Sequence, residues 1–312
     1  MIDKKIIFLG TPDMSAYVLQ GMVKAGFNIV GVITQEDKPR GRKKILSPSP
    51  VAIKGEELGL KVYKPHRLNK DFDFIKELEP DLLLTFAYGQ IISTEVLSLS
   101  KYPPLNLHAS ILPKYRGAAP IQYALKNGDK ETGVSLMEMV KEMDAGDVFA
   151  CEKLDILKED NYSSLCEKIQ ELSLNMAIKY LPLFFENKLE RVCQDPFKVT
   201  FCPSIKKEEE HLDLNLSNED FINVVRSLSF TPGGYLINTK DESIIKIYAC
   251  SNYSSAIEGE VGQIIKASKK DLILQLKNGQ IKIDLIQKPG KKMMSATDFN
   301  NGNRDFEGTI LK

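Results

Sequence analysis

The sequence predicts an α/β chain in two parts: a Rossmann-like, doubly wound, mostly parallel sheet, then a small C-terminal β-barrel of the oligonucleotide-binding type. Three observations predict it. Short apolar runs alternate with helical stretches between residues 5 and 87, the pattern of buried strands joined by helices. A capping box from Ser217 to Asp220 opens one later helix. After it come short alternating segments at 235–239, 244–250, 260–267, 272–277 and 280–286, separated by turn residues.

Taken in order, residues 5–9 read as a buried strand ending at Gly10, and Pro12 is placed to start a helix that runs to Ala25. Residues 28–34 are a second strand. A helix from Ser49 or Pro50 to Leu58 is closed by Gly59. A helix at 71–78 and a buried strand at 81–87 follow. Gly10 opens no Gly-x-Gly-x-x-Gly sequence, so dinucleotide binding lacks its main signature. A strand around Asn106 then falls at the carboxyl-end crevice, where ligands bind in such sheets. Residues 161–187 read as one long helix that Pro182 kinks or splits. Residues 189–207 have weak periodicity, two prolines and charge, and read as a linker between domains at 1–188 and 208–312.

Composition limits the function classes. The chain has 312 residues and equal numbers of basic and acidic side chains, 42 of each, so net charge alone does not point to nucleic acid. Its five cysteines are scattered, with no Cys-x-x-Cys pair. That argues for reduced thiols in a cytosolic protein, against a disulfide framework and against a zinc knuckle. The N-terminus lacks a signal-peptide pattern, and no apolar run approaches the ~20 residues of a membrane span. A soluble, cytoplasmic monomer with no membrane partner and no metal is expected.

The segment 105–122 carries the chemistry. Asn106 and His108 are two apart on an extended strand, so they share a face, while Leu105 and Leu107 take the other. An Asn amide can hold a developing oxyanion, and a His can move a proton near neutral pH. Together they suit attack of an amine or water on a carbonyl carbon. On their own they also fit a structural histidine and a turn residue. Asp144, on a loop after the alternating run 134–139, could orient and charge-balance the imidazole, or form an ordinary Asx turn before Gly146. The lone histidines His66 and His211 read as surface residues, and Met137, Met139 and Met143 as core or pocket filler.

Two regions are locally basic. The stretch 35–50 holds Lys38, Arg40, Arg42, Lys43 and Lys44 around Gly41, with no apolar residue until Ile45. It reads as a long loop without structure of its own, either solvated or functional. From 261 to 294 there are eight lysines, Lys269 and Lys291 among them, against Asp271 and Asp284. Such a surface suits an RNA backbone, or simply protects strand edges.

Asn106, His108, Ser110, Leu112 and Pro113, then the run Arg116 to Gln122 and a downstream Asp144 to Asp147, resemble the formyltransferases that use 10-formyltetrahydrofolate. The stretch 35–50, its closing run from Pro48 to Val51 and the ending 290–302 are similar to the branch of that family acting on methionyl-tRNA. The resemblance implies catalytic roles for Asn106, His108 and Asp144, and a folate-lining loop at Ser110, Ile111, Leu112 and Pro113. It implies tRNA contacts at Arg40, Arg42, Lys43, Lys44, Lys269 and Lys291, with Arg42 where the family places the Arg that enters the acceptor end. It further implies direct transfer of a formyl group from 10-formyltetrahydrofolate to the amine of initiator methionyl-tRNA, a step of translation initiation. One departure is that the chain has no Trp, and 229–235 stands where the family often carries a Pro-Trp-Pro segment. A folate hydrolase is the alternative that the basic 35–50 stretch opposes. An RNA-binding protein with an inactive Rossmann-like domain is opposed by the intact trio.

Overall fold

The computed structural model describes residues 2–40, 45–303 and 305–312. They form two compact units: Met1–Pro120, Glu131–Asp155 and Cys166–Pro203 in the first, Ile121–Lys130, Ile156–Leu165 and Ser204–Lys312 in the second.

The first unit is built on a seven-stranded sheet. Its strands lie in the order Val148–Asp155, Glu131–Glu138, Leu105–His108, Leu82–Phe86, Ile2–Gly10, Phe27–Ile33 and Val62–Tyr63. The last five pair in parallel, and Glu131–Glu138 runs antiparallel to both its neighbours. Ile6, Ile7, Phe8 and Leu9 are all buried, which is why that strand reads as a continuous apolar run rather than an alternating one. Ser49 caps the helix Pro50–Glu57 by accepting the Ala52 N–H. Register sets the centre of the sheet: Asn106 lies opposite Thr85 on one side and Met137 on the other, and His108 lies opposite Ser135.

Three expectations change here. The 35–50 stretch is not a featureless loop: Lys38–Arg40 and Ile45–Ser47 pair as an antiparallel hairpin, with Arg40 opposite Ile45. Its strands are too short to register as periodic. The helix Tyr162–Phe185 passes through Pro182 without splitting. Pro182 stands within a turn of the helix end, so the bond its missing N–H forfeits is one of the last. Residues 189–203 fold onto the first unit. Val192 exchanges two backbone hydrogen bonds with Val148, at 2.9 and 3.0 Å, and Phe201–Cys202 pairs in parallel with Arg116–Gly117. Backbone pairing of such short pieces leaves no side-chain period to read.

The second unit carries a six-stranded antiparallel sheet, ordered Gly234–Ile237, Ile244–Ser254, Gly279–Gln287, Leu272–Leu276 and Ile264–Ala267, with Met294–Ser295 beside Gly279–Gln287. Ile310 bridges to Gln263 and Leu311 to Asn238, so the last residues stitch the two edges of that sheet together. This removes exposed edges as a barrel does. The helix Asn218–Ser227, capped by Ser217, buries Phe221 and Val225 against the barrel core.

Candidate active site

The site grows from the end of the strand Leu105–His108. Leu105 and Leu107 are buried on one face, so Asn106 and His108 face the other. The neighbouring strand supplies Thr85, whose hydroxyl donates to Asn106 Oδ1 at 2.8 Å. That bond fixes the amide and leaves its N–H pair for another partner.

His108 is 5% exposed, and its Nε2 lies 2.8 Å from the carbonyl oxygen of Tyr115. A carbonyl only accepts, so Nε2 carries a proton there. The exchangeable nitrogen is therefore Nδ1, which faces Asp144 Oδ2 at 3.6 Å. This is an ion-pair separation rather than a hydrogen bond. In the doubly protonated ring, the positive charge faces the Asp144 carboxylate while Nε2 keeps its carbonyl.

Asp144 is held from two sides. Its Oδ2 accepts the Gly117 N–H at 2.8 Å, and its backbone adopts φ 49°. Its main-chain carbonyl accepts from Gln194 Nε2 at 2.8 Å. Gly117 belongs to the turn that also provides the Tyr115 carbonyl, so one short segment contacts both members of the His108–Asp144 pair.

Of the four loop residues expected to line a ligand, Ser110 is fully buried and donates to the Lys114 carbonyl at 2.6 Å, while Ile111, Leu112 and Pro113 are half-buried. Ser135 braces the same loop, donating to the Ser110 carbonyl at 2.7 Å and accepting the Leu112 N–H at 3.1 Å. Met137 is buried but Met143 is exposed, so Met143 is not filler: it rides the outside of the Asp144 turn. Cys202 donates to the Tyr115 carbonyl at 3.1 Å, and burial pushes its thiol up to about 11, unsuited to a thiolate role.

Spacing paired Asn106 with His108, and the family resemblance set Asp144 beside them; the three lie around one strand end. Thr85, the Tyr115 carbonyl, the Gly117 N–H and Gln194 were not read from either. Backbone donors carry no side-chain signal, and Gln194 sits in the aperiodic 189–207 stretch.

Of the basic residues, Arg42, Lys43 and Lys44 lie outside the described residues, and Arg40 ends the first strand of the hairpin. Ile45 and Leu46 are exposed on its second strand. On the barrel, Lys266 and Lys282 both pair with Asp271, at 2.7 and 3.4 Å. Lys269 and Lys291 are exposed and make no ion pair among the described residues. His66 is exposed beside Glu36, 2.6 Å away, and His211 is exposed near the Lys312 carbonyl. No group of metal-ligating side chains is found among the described residues, and no described helix is long and apolar enough to cross a membrane.

Comparison with known proteins gives the family of the chain. A family described as formyl transferase matches residues 4–181, and its C-terminal domain matches 204–304. The methionyl-tRNA formyltransferase of Lactobacillus johnsonii is 38% identical over 299 residues, covering 95% of both chains. That of Mycoplasma capricolum is 41% identical over 299 residues, covering 95% of this chain and 94% of its own. Among solved structures, WlaRD, a sugar 3N-formyl transferase, superposes with a TM-score of 0.66 at 19% identity, covering 93% of this chain and 99% of that one. HypX from Aquifex aeolicus, solved with tetrahydrofolic acid, gives 0.64 at 16% identity; the match covers 97% of this chain and 48% of HypX. These two show likeness of fold.

Proposed function

The chain belongs to the methionyl-tRNA formyltransferase family; from that premise we infer that it transfers a formyl group to the α-amino group of methionine on initiator tRNA, with 10-formyltetrahydrofolate as donor. The observation that carries the reading is His108, buried between the Tyr115 carbonyl and the Asp144 carboxylate on the strand face shared with Asn106. A folate donor suits the surroundings, because a polar trio at a strand end adjoins the half-buried Ile111, Leu112 and Pro113. When bound, the donor supplies a formyl carbon on nitrogen for attack by an amine.

The chain's own residues do the rest. Asn106 Nδ2, freed by the Thr85 bond to its oxygen, donates to the charge developing on the formyl oxygen. His108 Nδ1 carries the proton from the attacking amine toward the leaving nitrogen. Asp144 steadies the positive ring while it does so. The described cysteines form no disulfide with one another, which suits a cytoplasmic place. We assign tRNA contact to the basic 35–50 stretch of the sequence, at Arg40, Arg42, Lys43 and Lys44, and to Lys269 and Lys291 on the barrel.

The test is formylation of initiator and elongator methionyl-tRNA with 10-formyltetrahydrofolate. Transfer to the initiator is expected. Donor hydrolysis at an equal rate with or without tRNA would make the chain a hydrolase instead.

A further inference from the structure

Gln194 lies in the aperiodic stretch after the long helix, yet every hydrogen-bonding position of its amide is used. Nε2 donates to the carbonyl of Asp144 at 2.8 Å and to that of Gly146 at 2.7 Å. Oε1 accepts from Arg116 Nε at 3.0 Å and Nη2 at 2.8 Å. The orientation of the amide is determined, because carbonyls only accept and a guanidinium only donates.

These bonds converge on Asp144 from both ends. The Asp144 turn has φ 49°, a left-handed conformation that aspartate adopts more readily than most residues and that its neighbours hold here. Gln194 satisfies two of the turn's carbonyls. Its other side grips Arg116, the residue before the Gly117 whose N–H holds the Asp144 carboxylate. The strap carrying Gln194 is itself anchored. Val192 exchanges 2.9 and 3.0 Å backbone bonds with Val148, and Arg191 Nε lies 3.4 Å from Asp147 Oδ2 and also pairs with Glu138.

We propose that Gln194 is a positioning residue: it locks the Asp144 turn to the Arg116–Gly117 segment and so fixes the Asp144 carboxylate at His108. This rests on the proton-relay role given above to His108 and Asp144. Gln194→Met keeps side-chain length and removes all four bonds. It should lower kcat about 10- to 100-fold through displacement of Asp144, with KM for both substrates little changed. Gln194→Glu keeps acceptors for Arg116 but sets carboxylate oxygen against two carbonyls, so it should lose as much.

A double-mutant cycle with Asp144→Asn decides the matter. Once Asp144 is disabled, Gln194→Met should cost less than about 3-fold more. A purely structural role would lower the melting temperature and add its loss in full. Additive losses, or an active Gln194→Glu, would overturn the proposal. So would wild-type kcat in Gln194→Met while Asp144→Asn is impaired, which leaves the relay standing. Wild-type turnover in Asp144→Asn would sink the relay itself.

Discussion

Gly117→Ala is the most incisive change the site offers. Gly117 sits at φ 127°, and a Cβ built there would lie 2.6 Å from the Cys202 carbonyl oxygen and 3.1 Å from its carbon. Both neighbours are backbone. The same carbonyl accepts the Ala119 N–H at 3.1 Å, and the Arg116 N–H donates to Thr200 at 2.9 Å, so neither side can swing away as a side-chain tip would. The backbone conformation costs about 1–3 kcal/mol for a residue with a Cβ. Forcing the overpacked contact costs about 1–3 kcal/mol more. A total of roughly 2–5 kcal/mol is expected after partial relaxation, a large share of a domain's net stability.

The catalytic effect follows from the same displacement. The clash must open by about 0.8 Å to reach ordinary contact, and the Gly117 N–H that holds Asp144 moves with it. A shift of that size at a reacting group costs on the order of 100-fold in rate. Urea denaturation reads the first number and single-turnover formylation reads the second, on the same preparation. A variant within ~0.5 kcal/mol of wild type that formylates at the wild-type rate would refute the reasoning, since it would mean that neither the close approach nor the Gly117–Asp144 bond matters.

Four further outcomes are expected. His108→Ala and Asp144→Asn should each slow single-turnover transfer by at least ~100-fold with melting temperatures near wild type, the scale of acid–base and oxyanion groups. Arg42→Leu should cut catalytic efficiency on initiator tRNA by orders of magnitude and spare folate binding; Arg42→Lys should recover little of it if Arg42 reads the acceptor end by geometry, and most of it if charge alone steers. Asp81→Asn should destabilise by about 1–2 kcal/mol at pH 7. Burial alone would raise the Asp81 carboxyl, but the Lys5 N–H at 2.7 Å and Lys101 at 3.0 Å hold it below the usual carboxylate range. Its contribution is therefore present above the unfolded pKa of ~3.9 and lost as pH falls through the lowered folded value, so urea curves of wild type and variant should converge in strong acid. Leu311→Ala should cost about 2–5 kcal/mol by chemical denaturation, because Leu311 is fully buried where the barrel edges meet.

The sequence by itself determined whatever shows as a period or a side-chain type. The apolar run through Phe8 marks a strand covered on both faces, and Asn106 and His108 share a face because side chains alternate along any strand. Ser217 announced its helix because a cap is local chemistry. Tertiary structure alone decided what depends on backbone groups meeting across distance. Nothing in the order of residues says that the Tyr115 carbonyl fixes which His108 nitrogen carries the proton, or that the Gly117 N–H turns to Asp144. The same holds for Gln194, a common residue in an aperiodic stretch, which acquires its partners only when the strap at Val192 is laid against Val148. A main-chain donor or acceptor is the same for every residue type, so its role is written in where the chain goes and leaves no mark in which residue carries it.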